Sequence, residues 1–561
     1  MAAETPYRLP ARLDLDRIEA LLQAKVSAAE DHVWALREDP SYFAEQLGKI
    51  KEHRQEMIKD RNGDVHPTLR PSRHGLFWAR IIGTAVFEAY TELEVYAELH
   101  RLSKELQTLH AKYASSISPT KPLPEEFQAA LLKFRHYIYQ SAKGPLTQLK
   151  LGVVASPPWR KHFVREPPVD ADSSRILVVM KSGVKMNKTE TQLLWLLRIL
   201  WEDDKQLFLI GMPLVLDELE RLLQTDPEAK QLVSAHIAQA IGNLSILSQC
   251  MTQLSLYQPW ARSFESGLVD AEAGIKKEYE EQTRLLAKIK SALHENSLTR
   301  AARLGEPSGS KFSYPSDKRR TKETTDALIQ AERNLDVFWA TIDQLLYNGC
   351  GSLDGTAVGR LLSQHRPLQR TPEWIEDPAA NKTRGGQPAH VDLDPIYKPL
   401  STLYFEDSRA KPEDSGHKPA APKAKTKTRG AASQETTETI AAAPSRHAES
   451  GPKPAPISVD ARALKVFRTL FFDPNVTSSP GEVSWNDFLY AMTSTGVFAA
   501  EKLYGSVWQF QRVDGVDQSR IQFHEPHPHG KIPFVVARRH GRRLNRNYGW
   551  AGDLFVLKGK S

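Results

Sequence analysis

The sequence predicts a mainly α-helical protein with a large helical-bundle body, a long disordered linker and a small C-terminal α+β domain. Apolar residues recur at three- and four-residue steps through most of residues 1–294, which is typical of amphipathic helices. Ile440 is the only large apolar residue between Glu406 and Pro456, so this stretch cannot bury enough surface to fold. Beyond it, three short aromatic-rich runs lie between two helical patterns.

These observations divide the 561 residues into five segments. The predicted order is an α-helical domain, a loop or linker, a helical extension that packs on the body, a disordered linker and a basic α+β module. Their boundaries are 1–295, 296–325, 326–405, 406–457 and 458–561. Domains usually span roughly 100–200 residues, so the chain is long enough for a large body and a separate module.

A row of apolar residues on one face predicts the first helix of the body, and an N-cap residue predicts the start of the second. Ile18, Leu22 and Val33 share one helical face, and the pattern stops before Asp39-Pro40. Asp39 suits the N-cap of the second helix because its carboxylate can accept hydrogen bonds from the free N–H groups of the first turn. Proline suits the position that follows, where an N–H group would have no partner.

The longest helix is predicted over residues 76–113, which lack proline and have apolar residues at helical steps. Charged residues fall between the apolar ones, so a bundle helix with a solvated outer face is favoured over a coiled-coil dimer. Residues 176–180 form either a strand or an extended loop. Further helices are predicted at 125–141, 189–209, 214–224, 228–257, 266–294, 328–346 and 356–363.

Cysteine content and hydropathy exclude several classes of protein. Cys250 and Cys350 are the only cysteines, so a disulfide framework and a cysteine-based zinc knuckle are excluded. The first residues lack the apolar core of a secretory signal, and the most apolar internal run is shorter than the ~20 residues that a membrane span requires. We therefore expect a soluble protein of the cytoplasm or nucleus that does not bind membranes.

The C-terminal module is predicted to run helix, three-stranded antiparallel sheet, helix. Ser484 can cap the first of these helices, over residues 485–493. Strands are expected at 498–504, 507–513 and 520–526, with glycine-containing turns between them. The second helix starts at Pro533 and ends at Gly549, a residue type that suits a left-handed cap.

The second helix of the module carries a concentration of positive charge. From Ser458 onward the chain has 14 Lys and Arg against 9 Asp and Glu. The helix is predicted to present its arginines as a ridge outside the module, and planar guanidinium groups match the oxygens of phosphate. RNA, another polyanion or an acidic protein surface is the expected partner. The predicted polyanion-binding residues are Arg538, Arg539, Arg542, Arg543, Arg546 and Lys531.

Histidines just before this helix are candidates for metal binding or catalysis. His524, His527 and His529 could supply three imidazoles, but the spacing is not a known zinc pattern. His524 and Glu525 are a candidate acid–base pair, although adjacent residues of a strand point to opposite faces. A strand end with surface histidines is the favoured interpretation. The chain has no Walker loop or dinucleotide fingerprint, and we expect no cofactor.

Two resemblances accompany these patterns. The segments GSVWQF, RIQFHEPHPHGKIP and ARRHGRRLNRNYGW, with LQRTPEW at 368–374, resemble a group of uncharacterised filamentous-fungal proteins. Residues 484–550 resemble the HicA-type toxin domain, a double-stranded-RNA-binding-like fold of small bacterial messenger-RNA interferases. In that family a Gly-Ser turn opens the strand that bears the catalytic histidine, whereas Val507 and Trp508 follow Gly505-Ser506 here. The resemblance therefore implies the fold and RNA binding without RNA cleavage.

Three functional hypotheses follow from the sequence. The first is a non-enzymatic protein whose helical body binds protein partners and whose basic module binds RNA or another polyanion. The second is a protein-interaction scaffold with no nucleic-acid role, in which the arginine ridge docks on an acidic protein surface or on the helical body itself. The third is a hydrolase or ribonuclease-like enzyme that uses His524.

Overall fold

In the computed structural model of the chain, the described residues do not include the region of the predicted disordered linker up to residue 455, nor His527 and His529. The prediction of disorder lies outside the described part of the chain. The described residues are 13–168, 170–173, 175–202, 211–364, 368, 370–375, 456–472, 481–502, 506–515, 519–526 and 530–558.

The body is built from helices, as predicted. Its longest helix is continuous from His74 to Tyr113, and Asp39 caps the second helix with its side chain while Pro40 occupies the first position. The helices are α1 (Leu15–Glu38), α2 (Pro40–Glu52), α3 (His74–Tyr113), α4 (Glu125–Ala155), α5 (Lys188–Glu202), α6 (Met212–Thr225), α7 (Pro227–Leu232), α8 (Ala235–Leu256), α9 (Phe264–Ala292), α10 (Thr299–Gly305), α11 (Lys322–Cys350) and α12 (Ala357–Leu362).

Several elements of the body differ from their predicted bounds. Helix α10 lies inside the segment 296–325, which was predicted as a loop or linker. The helix predicted over 228–257 is divided into α7 and α8, because Ser234 caps a new helix by accepting a hydrogen bond from the N–H of Ile237. Helix α4 continues past residue 141 and through Pro145, since the apolar face beyond the proline is still buried. Only Val178–Met180 of the predicted strand is extended, and it pairs antiparallel with Phe163–Arg165. These two strands are β2 and β1.

The core of the body has two parts, which the two halves of α3 share. The first half of α3 packs with α11 through buried residues such as Ile82, Leu335 and Phe338. The second half packs with α4 and α8, where Leu106 and Phe127 are fully buried. Each such side chain contributes about 1.5–3 kcal/mol through burial, so α3 is the central support of the body.

The C-terminal module has the predicted order of helix, three antiparallel strands and helix. Ser484 caps its helix, and Gly549 is left-handed with φ of 66°. A parallel pair that was not predicted, β3 with β9, joins the two ends of the module. The elements are β3 (Ile457–Val459), α13 (Ala461–Leu470), β4 (Val483–Ser484), α14 (Trp485–Ser494), β5 (Phe498–Lys502), β6 (Val507–Arg512), β7 (Arg520–His524), β8 (Lys531–Ile532), α15 (Phe534–Tyr548) and β9 (Phe555–Leu557).

The module packs directly on the body, which corrects the expectation of an independent tethered unit. Strand β7 lies along α1, and the side-chain amide of Gln522 is 3.5 Å from the carbonyl oxygen of Leu21. Val507 of β6 is buried in the core of the body beside Gly242 of α8. A Cβ atom at Gly242 would lie 2.5 Å from a methyl carbon of Val507, so this close approach requires glycine.

Candidate functional site: the arginine helix and its acidic surface

Helix α15, the arginine helix, has one face in the module and the other against the body. Ala537, Gly541 and Leu544 are buried in the module. A Cβ atom at Gly541 would lie 2.0 Å from the carbonyl oxygen of Leu470, so only glycine allows α13 to approach this closely. The arginines therefore project from the opposite face, toward α1 and α2.

Arg539 and Arg542 meet at a single carboxylate of the body. Asp39 Oδ2 is 3.2 Å from Arg539 Nε and 2.7 Å from Arg542 Nη2. Arg539 also donates to Glu45 Oε2 at 2.8 Å and has its guanidinium 4.5 Å from the ring centre of Tyr42. The side chain of Asp39 is only 3% exposed and that of Arg539 only 12%. The charge network is therefore buried at Asp39 and Arg539, whereas Arg542 and Glu45 are partly open to solvent.

Asp39 links the local structure of α2 to the docking of the module. Its Oδ1 atom accepts hydrogen bonds from the N–H of Tyr42 at 3.0 Å and from the hydroxyl of Ser41 at 2.7 Å, while Oδ2 faces the arginines. Burial by itself would raise the pKa of Asp39, but Arg539 and Arg542, together with the hydrogen bonds from Ser41 and Tyr42, lower it to about 2. The carboxylate is therefore ionised at neutral pH. It binds the first turn of α2 through Oδ1 and the arginine helix through Oδ2.

A second carboxylate, about two helical turns before Asp39, receives two more of the arginines. Asp31 of α1 forms ion pairs with both Arg543 and Arg546. Arg546 also approaches Glu38, with 4.0 Å between Nη1 and Oε2. The guanidinium of Arg543 lies 4.9 Å from the ring centre of Phe523, which places it between the sheet of the module and α1. We call Asp31, Glu38, Asp39 and Glu45 the acidic surface.

Arg538 and Lys531 are placed differently from the other predicted residues. Arg538 donates a hydrogen bond to the carbonyl oxygen of Ser316 at 3.1 Å, and its guanidinium is 5.7 Å from the ring centre of Phe472. Lys531 is 67% exposed, with its Nζ 3.7 Å from a carboxylate oxygen of Glu482. Of the six predicted residues, Lys531 alone points away from the body.

The arginine ridge was predicted to be exposed on the outside of the module. It faces the helical body instead, which corrects the predicted exposure. Its sequence pattern, an arginine face on an amphipathic helix, is the same for a solvated ridge and for one that meets carboxylates. The carboxylates lie about 500 positions earlier in the chain, on α1 and α2. A spacing of seven residues between Asp31 and Glu38 puts both on one helical face, which was the available signal for an acidic surface.

A second set of contacts joins the sheet of the module to α6 and α7. Lys502 lies 2.6 Å from Glu220, and Lys230 lies 3.1 Å from Glu525. Glu525 also accepts a hydrogen bond from the indole of Trp508 at 3.2 Å. Burial would raise the pKa of Glu525, but the adjacent lysines and the indole lower it. The module is therefore held by ion pairs at two separate places.

The candidate catalytic residue His524 lies inside this contact. Its Nδ1 is 3.2 Å from the hydroxyl of Ser506, and Glu525 faces Lys230 instead of the imidazole. His524 and Glu525 therefore contact different partners. Ser506 is only 2% exposed, so a substrate could reach its hydroxyl only after the module had moved away. This geometry does not form an accessible acid–base pair.

The remaining histidine chemistry is also limited. Within the ranges described, no three His, Cys, Asp or Glu side chains are grouped as metal ligands, while His527 and His529 lie outside those ranges. His540 packs its ring 4.6 Å from that of Phe523, and burial lowers its pKa to about 3. Its ring therefore packs against the core of the module.

Comparison of the chain with protein-family models, with curated proteins and with solved structures finds no match. The resemblances to filamentous-fungal proteins and to the HicA-type domain therefore stay predictions. Among the helices that the structure describes, none is both long enough and apolar enough to cross a membrane. The contacts define a helical protein whose arginine helix is bound by its own N-terminal helices.

Proposed function

We propose that this protein is a non-enzymatic protein-interaction scaffold and that its C-terminal module is an intramolecular clasp. The observation that carries the proposal is the sharing of Asp39 by Arg539 and Arg542. In the clasp, the arginines serve as contact residues for α1 and α2, and no role in binding nucleic acid is required of them.

The energetics of the contact favour a clasp over a phosphate-binding surface. Removing one partner of a buried ion pair typically costs about 3–5 kcal/mol, because the other charge is left without compensation. A polyanion that bound Arg539 would have to displace Asp39 and Glu45 from it, and the buried Asp39 would keep only the partly exposed Arg542 as a counter-charge. Most of the attraction gained from phosphate would be offset by that loss, so binding of RNA through these arginines is disfavoured in the docked chain.

The clasp also explains how α1 is held. This helix packs on α3 through one face and on β7 of the module through another. The body then presents a fixed outer surface, on which Trp195 of α5 is 60% exposed and Leu214 of α6 is 70% exposed. Gln192 faces Glu218 across these antiparallel helices, which places Trp195 and Leu214 at the same level. Exposed aromatic and aliphatic residues of this kind are typical centres of protein interfaces.

Zero-length crosslinking of the full chain tests the clasp. A carbodiimide joins a lysine to a carboxylate in direct contact, so we expect Lys502–Glu220 and Lys230–Glu525 adducts in a peptide map of the monomer. The exposed pair Lys531–Glu482 lies within the module and reports the reactivity of the reagent whether or not the module is docked. If that internal adduct forms and neither adduct between module and body is found, the clasp proposal is wrong.

Binding of RNA is the competing outcome, and it has its own measurement. Fluorescence anisotropy with a structured RNA at low salt would compare the full chain with a variant that carries Arg539→Ala and Arg542→Ala. The clasp predicts no binding that depends on these arginines. Phosphate contacts would instead give an affinity that falls in the variant and decreases steeply with added salt. Lys531→Ala provides the comparison for an exposed basic residue.

A further inference from the structure

A polar cavity lies between the helices of the body and is partly open to solvent. It has a volume of about 40 Å³ and is lined by α1, α2, α3, α4 and α8. A space of this size accommodates about two or three water-sized groups. The polar side chains that line it include His32, Gln46, Glu88, Glu92, Gln148 and His236.

The two carboxylates of the cavity differ in how their charge is balanced. Glu92 forms an ion pair with Lys25 of α1, which is almost completely buried. Glu88 stands one helical turn earlier on α3 and forms no ion pair with any residue that the structure describes. Burial, assisted by the charge of Glu92, raises the pKa of Glu88 to about 7 even though Gln148 and Arg54 act in the opposite direction.

The imidazoles of the cavity do not supply the missing positive charge. Burial lowers the pKa of His32, whose Nδ1 is 2.7 Å from the hydroxyl of Tyr42. Burial and the adjacent His53 lower the pKa of His236 to about 3. Both rings are therefore neutral at physiological pH. They offer hydrogen-bonding atoms around Glu88 but no counter-charge.

A buried hydrogen-bond acceptor in the cavity also lacks a partner, which indicates that the cavity suits a ligand with hydrogen-bond donors. Asn243 of α8 lines the cavity and is almost fully buried, yet its side-chain oxygen has no hydrogen-bond partner among the described residues. The oxygens of Glu88 and the amide groups of Gln46 and Gln148 add further acceptors. A guest that carries N–H donors and one positive charge would satisfy these groups and compensate the carboxylate.

We propose that this cavity binds a small primary ammonium cation, with the Glu88 carboxylate as its counter-ion and the surrounding glutamine and asparagine oxygens as hydrogen-bond acceptors. The volume limits the guest to about three non-hydrogen atoms, as in methylammonium or ethylammonium. A larger or quaternary cation does not fit and has no N–H group to donate. The chemistry is recognition of an amine, and neither the clasp arginines nor their carboxylate partners line the cavity.

Thermal unfolding of the full chain at pH 8 with methylammonium chloride tests the site. We expect a saturable rise in Tm with methylammonium, because a ligand that binds only the folded state stabilises it. Equal concentrations of sodium chloride and of tetramethylammonium chloride should not give that rise. They control for ionic strength and for a cation without N–H donors.

Glu88→Gln is the decisive variant, because it keeps the size of the side chain and removes its charge. The apparent Kd for methylammonium should weaken about tenfold or more, since a hydrogen bond to a charged group is worth roughly 1.5–3 kcal/mol. Glu105→Gln, an exposed change on the same helix, should bind like the wild type. An equal response in Glu88→Gln, or an equal rise with sodium chloride, overturns the proposal, whereas the clasp is tested separately by its crosslinks.

Discussion

Replacing Asp39 by asparagine removes the charge at the centre of the clasp and leaves the local cap in place. Asparagine is as good an N-cap as aspartate, so the hydrogen bond to the N–H of Tyr42 is retained and α2 should begin at the same residue. Volume is also conserved. Any large loss of stability in Asp39→Asn therefore measures the interaction with Arg539 and Arg542.

The shift in the pKa of Asp39 on folding gives the size of the stabilisation that its charge contributes. Its value falls from 3.8 to about 2 on folding, and each pKa unit corresponds to about 1.4 kcal/mol, so the ionised carboxylate contributes about 2–3 kcal/mol at neutral pH. The stabilisation is fully present above the unfolded value near pH 4 and is lost as pH falls toward 2. Arg539 keeps Glu45 as a partner in Asp39→Asn and Arg542 is screened by solvent, so a loss of about 2 kcal/mol is expected.

Urea unfolding at pH 7, followed by tryptophan fluorescence, measures this loss. Asp226→Asn is the matched control, because Asp226 also precedes a proline and caps a helix, α7, but accepts hydrogen bonds from Thr189 and the backbone and has no arginine partner. The control should unfold at nearly the wild-type urea concentration. Equal midpoints for the two variants would refute the argument that Asp39 acts through the arginine helix.

Two further changes test the fit of the module and the charge of the cavity. Gly242→Ala places a methyl group against Val507 and should destabilise the chain by about 1–3 kcal/mol in the same urea assay and reduce the crosslinks between module and body. Gly274→Ala, at a helical position with open space around it, should be neutral or stabilising. Glu88→Gln should raise stability by up to about 3 kcal/mol at pH 8. Because the folded pKa is raised, this advantage should shrink as pH falls below 7 and vanish near pH 4, as urea unfolding at several pH values would show.

Elements whose boundaries depend on nearby residues could be predicted from the sequence. Asp39-Pro40 marks the start of α2, Ser484 marks the start of α14, and Gly549 ends α15, because each signal acts within one helical turn. The long helix α3 followed from its apolar spacing alone. In all these cases the residues that determine a helix or its boundary lie within a few positions of it in the sequence.

The surface that each polar face contacts could not be predicted in the same way. An arginine face on α15 has the same pattern whether it meets water, phosphate or the carboxylates of α1. Glu88 and Glu92 fall between the apolar residues of α3 and therefore suggested a solvated face, but neighbouring helices surround α3 there. Burial of these charges depends on contacts between distant segments, which periodicity does not encode.

Helix α1 connects the clasp to the cavity. Asp31 and His32 are adjacent, and successive residues of a helix project about 100° apart, so one faces the arginines while the other lines the cavity. Any movement of α1 that released Asp31 would also displace His32 and Lys25, the partner of Glu92. A cation bound at Glu88 should therefore stabilise the docked module, and by reciprocity docking should favour the bound cation. Slower amide hydrogen exchange in α15 with methylammonium than with sodium chloride would show this coupling, and unchanged exchange in the presence of saturable binding would show that the two sites are independent.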